Sequence, residues 1–408
     1  MFHNRPCGCK GQRSCLACEA QFGAFSVSGG ISDHMKETSV VFCPHCELAW
    51  PGWGVSDWQS HPQHKGQPVQ IEGVKLVLDF VTEDEEAELL EKLDQVPWDT
   101  SQSGRLKQNY GPKCNFKKRK VKLDGFNGYP LFTKFLQDRF RDVDILRDFL
   151  TVEQCSLDYT PSRGASIDPH IDDCWIWGER IPTLSLMSDS VLTLTLYEGR
   201  DSRYNLPDVK TYPSVVSPQG LVKTMDQLRE YYNGGNSAEE ELGRAVSLDA
   251  KGLDCSQSAA GSPAPRDHST TLSSAHASRS QDACSRASEV AISSQEISSE
   301  GNRAVKPTGV RVVRVPMPRR SLLVLYGSAR YDYEHRVMRD DVPQRRVCIT
   351  YRELTPTFLS CGPQSQVGAE ILEAAQEFWD HTVVYSTSAT TADGEKNVNG
   401  PLQTAVAV

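Results

Sequence analysis

The 408-residue sequence has no run of 18 consecutive apolar residues, so no segment is long enough to cross a bilayer as a helix. Its N-terminus is polar and cysteine-bearing and lacks the apolar h-region of a secretory signal, so a soluble chain of the cytoplasm and nucleus is expected. Apolar residues are scarce overall, at 38%, which excludes a single core filling the whole length. From Cys255 to Glu300 about a third of the residues are serine and no apolar period exists. That stretch cannot bury enough surface to offset its ordering entropy, and we expect it to be disordered. The net charge of -9 excludes a generally basic coat for nucleic acid. One segment lacks acids entirely, however: Ser101 to Leu123 carries eight bases and no Asp or Glu. In a reducing compartment the 13 cysteines read as thiols or metal ligands. The expected organisation is a Cys-rich module and connector (1–66), a core domain in two pieces (67–198 and 306–385), an insert (199–305) and a flexible tail (386–408).

What is present centres on Asp168-Pro169-His170-Ile171-Asp172-Asp173. In an extended strand, side chains two apart point the same way, so His170 and Asp172 can reach one metal ion together. A facial triad of two histidines and one carboxylate leaves the opposite coordination positions open, and it needs one more histidine. His335 is the candidate. Taken alone, His-x-Asp often arises by chance and a lone histidine is more often a surface or core residue. Eleven residues after His335 begins the run Arg346 to Arg352, in which Arg346, Cys348, Thr350 and Arg352 share one strand face. Arginines directed into an apolar barrel need carboxylates, from a dicarboxylate co-substrate or from structural acids. Further strands read at Val74–Val81, Val152–Tyr159, Ala165–Asp172, Thr183–Met187, Val191–Tyr197, Val310–Val315 and Ser321–Tyr326, with short turns that indicate an antiparallel sheet or sandwich. Trp175 and Trp177 read as a pocket wall or as plain core.

Thr82-Glu83-Asp84-Glu85 is a capping box opening a helix to about Gln95. Leu131–Phe149, Met225–Tyr232 and Ala369–His381 read as further helices. The basic run, interrupted by Tyr110-Gly111-Pro112 and Phe116, reads as a hairpin able to hold phosphates or an acidic protein surface, or else as a solvated face. Lys117 to Lys120 also fits a nuclear localisation signal. Cys7, Cys9, Cys15 and Cys18 are close enough in sequence to surround one zinc ion, the alternative being free or redox-active thiols. Cys43 or Cys46 is available to complete that site, and Trp50 to Gly66 reads as a connector.

Together, H-x-D, a distant H and R-x5-R resemble the AlkB family of Fe(II)- and 2-oxoglutarate-dependent dioxygenases. Cys7-Gly8-Cys9-Lys10-Gly11, Ser101-Gln102-Ser103-Gly104-Arg105, Tyr110-Gly111-Pro112-Lys113 and Trp177-Gly178-Glu179-Arg180 are similar to motifs of one of its subfamilies. The resemblance implies an α+β, mainly β fold: a double-stranded β-helix, or jelly roll, with flanking helices. It implies Fe(II) on His170, Asp172 and His335, the distal carboxylate of 2-oxoglutarate on Arg346, its 1-carboxylate end near Arg352, and a hydrogen bond from Tyr159. Ser156 or Leu157, and Cys348, depart from the asparagines of many members. The basic segment matches the family's substrate lid, which makes Arg105, Tyr110, Lys113 and Phe116 substrate-binding candidates. The implied reaction is oxidative N-demethylation releasing formaldehyde. Its substrate is methyl-lysine in a protein, with actin or actomyosin as candidate partner, or N6-methyladenine in DNA. A non-catalytic adaptor on the same fold and a carbon hydroxylase are the competing readings; oligomeric state is not legible.

Overall fold

The computed structural model describes residues 7–9, 15–23, 31–217, 220–233 and 309–380. The Ser-rich stretch and the expected tail lie outside the described residues. Among the described residues no helix is long and apolar enough to cross a membrane.

The β-branched and leucine-rich segments pair into two large sheets. One has seven strands, in lateral order Val74–Val77, Leu322–Leu325, Ile181–Leu186, Arg346–Arg352, Glu153–Tyr159, Leu106–Tyr110 and Asp99–Thr100. The other has six: Ile167–His170, Tyr333–Val337, Ser190–Leu196, Val312–Met317, Val40–Cys43 and Leu48–Pro51. Val313, Val315 and Leu194 from the second meet Ile181, Leu323 and Cys348 from the first in one buried cluster, so the sheets face each other across a shared core. From Glu153 to Arg352 successive strands change sheet at every step but one, an order consistent with a jelly roll. The exception is the step from Leu196 to Val312, where the two strands are antiparallel neighbours with Thr195 opposite Val312. The two strands that flank the insert in sequence are therefore direct neighbours, and the sheet is continuous there.

Outside the sheets, the helix Glu83–Gln95 starts on the expected capping box: Glu85 N–H donates to Thr82 Oγ1 at 3.2 Å and Thr82 N–H to Glu85 Oε2 at 2.8 Å. Its Leu89 and Leu93 are buried against Leu136, Phe140 and the seven-stranded sheet. Four expectations need correction. The helix expected from Leu131 to Phe149 is a short α-helix, Lys134–Arg139, flanked by 3-10 turns, because Val143 leaves helical backbone (φ -105°, ψ 111°) to bury its side chain. The last helix is Ser365–Ala374, after which Phe378–Trp379 pairs with Tyr129–Pro130. Residues 40–51, expected in a separate N-terminal module, form a hairpin that extends the six-stranded sheet, Val40 lying parallel and opposite Val313; its all-buried Val-Val-Phe-Cys strand needs that cover. The first part of the insert is likewise packed on the domain, with Leu206 buried against Ile171, Cys174 and Tyr331.

The Trp177-Gly178-Glu179-Arg180 motif has a structural explanation. Arg180 is 2% exposed, and its Nε donates to Glu353 Oε1 at 3.0 Å, its Nη2 to Glu353 Oε2 and its Nη1 to the Ile145 carbonyl at 3.1 Å. A Cβ at Gly178 would lie 2.5 Å from Glu353 Cγ. Replacing Arg180 by Ala strands the Glu353 carboxylate in the core, and urea denaturation should report a loss of about 3–5 kcal/mol.

Candidate active site

His170 ends the strand Ile167–His170, and Asp172 lies in the loop just past it, beyond the strand on which it was expected. His335 sits on the neighbouring strand directly opposite His170. The register brings the two imidazole rings to 4.3 Å between centroids, with His170 Nε2 3.7 Å from Asp172 Oδ1. One ligand atom from each of His170, Asp172 and His335 falls within 4.8 Å of the others, a spacing that fits a single metal ion. His170 Nδ1 is 2.8 Å from the Asp168 carbonyl. Donating its proton there leaves the Nε2 lone pair free to bind. Burial pushes the pKa of both imidazoles down, that of His335 well down. Burial alone would raise the Asp172 carboxyl, but the guanidinium groups of Arg352 and Arg330 hold it well below the ordinary carboxylate range. The donor set is thus one carboxylate and two neutral imidazoles.

The two arginines differ in what surrounds them. Arg352 is expected near a co-substrate carboxylate, yet its guanidinium is engaged by protein carboxylates: Nε and Nη2 donate to Asp172 at 3.0 and 3.1 Å, and Nη1 to Glu153. Arg346, 1% exposed, donates only from Nη2, to Ser185 Oγ at 3.1 Å and Met317 Sδ at 3.5 Å. Among the described residues, its Nε and Nη1 are buried without a hydrogen-bond partner. Both arginines and the three candidate ligands line one cavity, together with Tyr159, Cys155, Leu157, Ile181, Leu192 and Cys348. The Tyr159 ring is close to both Arg105 and Arg346, with guanidinium carbons 5.9 and 5.1 Å from its centroid, and burial pushes its phenol up to about 12. Cys348 faces Leu157 across the strand pair and both line the cavity, so that wall is apolar.

No family model matches the chain. Among curated proteins, the alpha-ketoglutarate-dependent dioxygenase alkB homolog 4 of Homo sapiens is 35% identical over 374 residues, covering 92% of this chain and 94% of its own length. That of Mus musculus is 34% identical, over 91% and 94%. The chain belongs to the AlkB family of α-ketoglutarate-dependent dioxygenases. A DNA N6-methyl adenine demethylase of Caenorhabditis elegans is 33% identical over 255 residues, 59% of this chain and 84% of that protein. The solved structure of OsALKBH1 aligns with 8% identity and a TM-score of 0.32, over 69% of this chain and 99% of that one, too loosely to bear on the fold.

Other candidate residues of this AlkB chain are less concentrated. None of Arg105, Tyr110, Lys113 and Phe116 lines the cavity. Arg105 Nη1 holds the Ser166 carbonyl, Tyr110 packs against Trp379 at 5.7 Å, Lys113 pairs with Asp124 at 2.6 Å and Phe116 is exposed. The basic hairpin is shorter than expected: Lys113–Asn115 pairs with Lys120–Lys122, whereas Leu106–Tyr110 belongs to the seven-stranded sheet. Arg119 ties its tip to Asn205 and Asp208, and Asn205 donates to Asp173 beside the candidate ligands. Trp175 is core, against Phe358, while Trp177 lies 5.8 Å under Arg352. Cys7, Cys9, Cys15 and Cys18 do converge, Cys7 Sγ lying 3.5 Å from Cys18 Sγ. Cys43 and Cys46 do not join them; they meet His61 and His64, two residues whose spacing inside a Trp-, Pro- and Gly-containing stretch gave no signal of its own.

Two outcomes follow from the buried charges. With two guanidinium nitrogens unpaired, Arg346→Met should leave the ligand-free chain as stable as the wild type or about 1–2 kcal/mol more so by chemical denaturation; a loss would show that Arg346 already has its partners. The imidazoles of His170 and His335 titrate lower in the folded chain than their unfolded value of about 6.5. Their stabilising contribution is therefore complete above about pH 6.5 and lost as pH falls through the folded values. In metal-free buffer the wild type should lose more stability than His335→Gln between about pH 7 and pH 5.

Proposed function

We propose that the chain is an Fe(II)- and 2-oxoglutarate-dependent oxidative N-demethylase built on a double-stranded β-helix. In this reading His170, Asp172 and His335 hold the iron, and Arg346 binds the distal carboxylate of 2-oxoglutarate. The observation that carries it is the Arg346 guanidinium, which among the described residues lacks hydrogen-bond partners at Nε and Nη1 in the same cavity as the triad. A buried cation left open is costly, and a carboxylate supplies two acceptors in the geometry its fork fits. When bound, iron with 2-oxoglutarate and O2 supplies the oxidation of an N-methyl to an N-hydroxymethyl group, which breaks down to the amine and formaldehyde.

The chain's own residues do the positioning. Asp168 orients the His170 ring, Arg352 keeps Asp172 ionised and aimed at the metal, and Leu157, Ile181 and Leu192 exclude water from the reacting methyl. Tyr159 hydrogen-bonds the co-substrate, and Arg352 lies near its 1-carboxylate end. The substrate is N6-methyladenine in DNA or methyl-lysine in a protein such as actin. The C. elegans relative named for the first supports it, as do Lys117, Lys118 and Lys120, which are exposed on the hairpin. We also propose that Cys7, Cys9, Cys15 and Cys18 hold a structural zinc ion.

The test is formaldehyde release, with Fe(II), 2-oxoglutarate and O2, from an N6-methyladenine oligonucleotide and from a monomethyl-lysine actin peptide. Asp172→Ala should abolish release, and Arg346→Met should raise the 2-oxoglutarate KM by about 100-fold or more. If DNA is the substrate, neutralising Lys117, Lys118 and Lys120 should weaken binding and flatten its salt dependence. No release from either substrate by an iron-loaded chain would refute both substrates; failure to bind iron would leave an adaptor.

A further inference from the structure

A second cluster of metal-ligating side chains lies outside the cavity, at the open edge of the six-stranded sheet. Cys43 is the last residue of the strand Val40–Cys43, and Cys43-Pro44-His45-Cys46-Glu47 is the turn into Leu48–Pro51. Glu47 takes left-handed backbone (φ 56°) and its N–H donates to the Cys43 carbonyl at 2.9 Å. The turn surrounds the sulfurs with donors. Backbone N–H groups of His45 and Cys46 point at Cys43 Sγ, that of Leu48 points at Cys46 Sγ, and Trp50 Nε1–H donates to Cys46 Sγ at 3.4 Å. N–H donors stabilise thiolates, the form in which cysteine binds a metal.

The other half comes from the stretch read from sequence as a connector. After the 3-10 turn Val55–Ser60, His61 and His64 bring their rings back over the cysteine turn. His61 Nδ1 is 3.8 Å from Cys43 Sγ, His64 Nε2 is 3.9 Å from Cys46 Sγ, and the two nitrogens are 3.3 Å apart. All four ligand atoms lie within 4.8 Å of one another. Zn–S bonds of about 2.3 Å and Zn–N bonds of about 2.0–2.1 Å make the edges of a tetrahedron about 3.3 Å for N–N and about 3.5 Å for N–S. The observed N–N distance equals that edge, and the N–S distances exceed it by a few tenths of an ångström. The sequence spacing, C-x2-C-x14-H-x2-H, falls in the range for small zinc sites except that the histidines are one residue closer.

We propose that Cys43, Cys46, His61 and His64 form a structural zinc site, separate from the Cys7 cluster and from the catalytic triad. The ion clips residues 52–66 onto the end of the hairpin. It thereby secures the edge strand Leu48–Pro51, whose outer side is otherwise met, among the described residues, by one bridge, Ala49 to Val69, and it keeps Trp53 stacked 4.2 Å from the buried Arg314. A closed set of four protein ligands, with no position left for water, is the coordination of a structural ion.

The test equilibrates the full chain with zinc sulfate, removes unbound metal by gel filtration, and counts zinc per chain by mass spectrometry. His61→Ala/His64→Ala should hold one zinc equivalent fewer than the wild type, whereas His64→Cys, which exchanges one ligand for another, should keep the wild-type count. Equal counts in wild type and double alanine variant would overturn the proposal, as would loss from His64→Cys. If the double variant does not fold, the wild type decides: half-buried Cys46 should be shielded from N-ethylmaleimide until a chelator strips the metal and then react several-fold faster. A Cys46 rate unchanged by chelation would equally overturn it.

Discussion

The pairing of Asp172 with Arg352 is the constraint on which the centre of the molecule depends. Asp172 is 7% exposed beside two imidazoles that burial keeps neutral, and a carboxylate in such a place is tenable only against a cation. Arg352 meets it with two nitrogens and uses the third on Glu153, which sits opposite it on the adjacent strand. The loop after His170 is thereby fastened to the seven-stranded sheet, while His170 and His335 belong to the six-stranded one. The ion pair joins the faces of the sandwich at the point where the ligands converge.

Buried arginines elsewhere show what sets the cavity apart. Arg180 is matched by Glu353, Arg314 by Asp341 and Thr193, and Arg330 by the carbonyls of Trp177 and Gly178 and the sulfur of Cys174. Arg346 meets a hydroxyl and a thioether and no carboxylate. Arg180, Arg314 and Arg330 each have acceptors at both terminal guanidinium nitrogens, whereas Arg346 has them at Nη2 alone among the described residues and lines a cavity, an arrangement a bound carboxylate would complete.

Much of this was legible in the sequence because the signals are local. The capping box at Thr82, the strand periodicity from Arg346 to Arg352 and the His-x-Asp spacing each depend on a few neighbouring residues. What was not legible depends on distance. Leu131 to Phe149 has a helical pattern, but burying Val143 overrides it. Tyr110 reads as a hairpin turn beside a basic run and is instead packed against Trp379, more than 200 residues on. His61 and His64 acquire meaning only when the strand Val40–Cys43 pairs with Val312–Met317 and fixes the cysteine turn beneath them. Arg352 was legible as a pocket residue, yet whether its partner is a co-substrate or Asp172 is decided by three-dimensional proximity.

The Ser101-Gln102-Ser103-Gly104-Arg105 motif shows how the N-terminal cysteines bear on the candidate metal ligands without touching them. Ser103, at a left-handed φ of 54°, directs its N–H at Cys9 Sγ and its Oγ to Asp168 Oδ2 at 2.8 Å, and the Asp168 carbonyl accepts from His170 Nδ1. Gly104 follows because a Cβ there would lie 2.5 Å from the Arg163 carbonyl, and Arg105 holds the carbonyl of Ser166 on the same segment. Three hydrogen bonds thus lead from a cysteine sulfur to a ligand imidazole. A left-handed serine costs about 1 kcal/mol or more unless its surroundings over-determine it. Here its bonds to Cys9 and Asp168 do, so a residue that touches the cysteine cluster helps hold the orientation of the His170 imidazole.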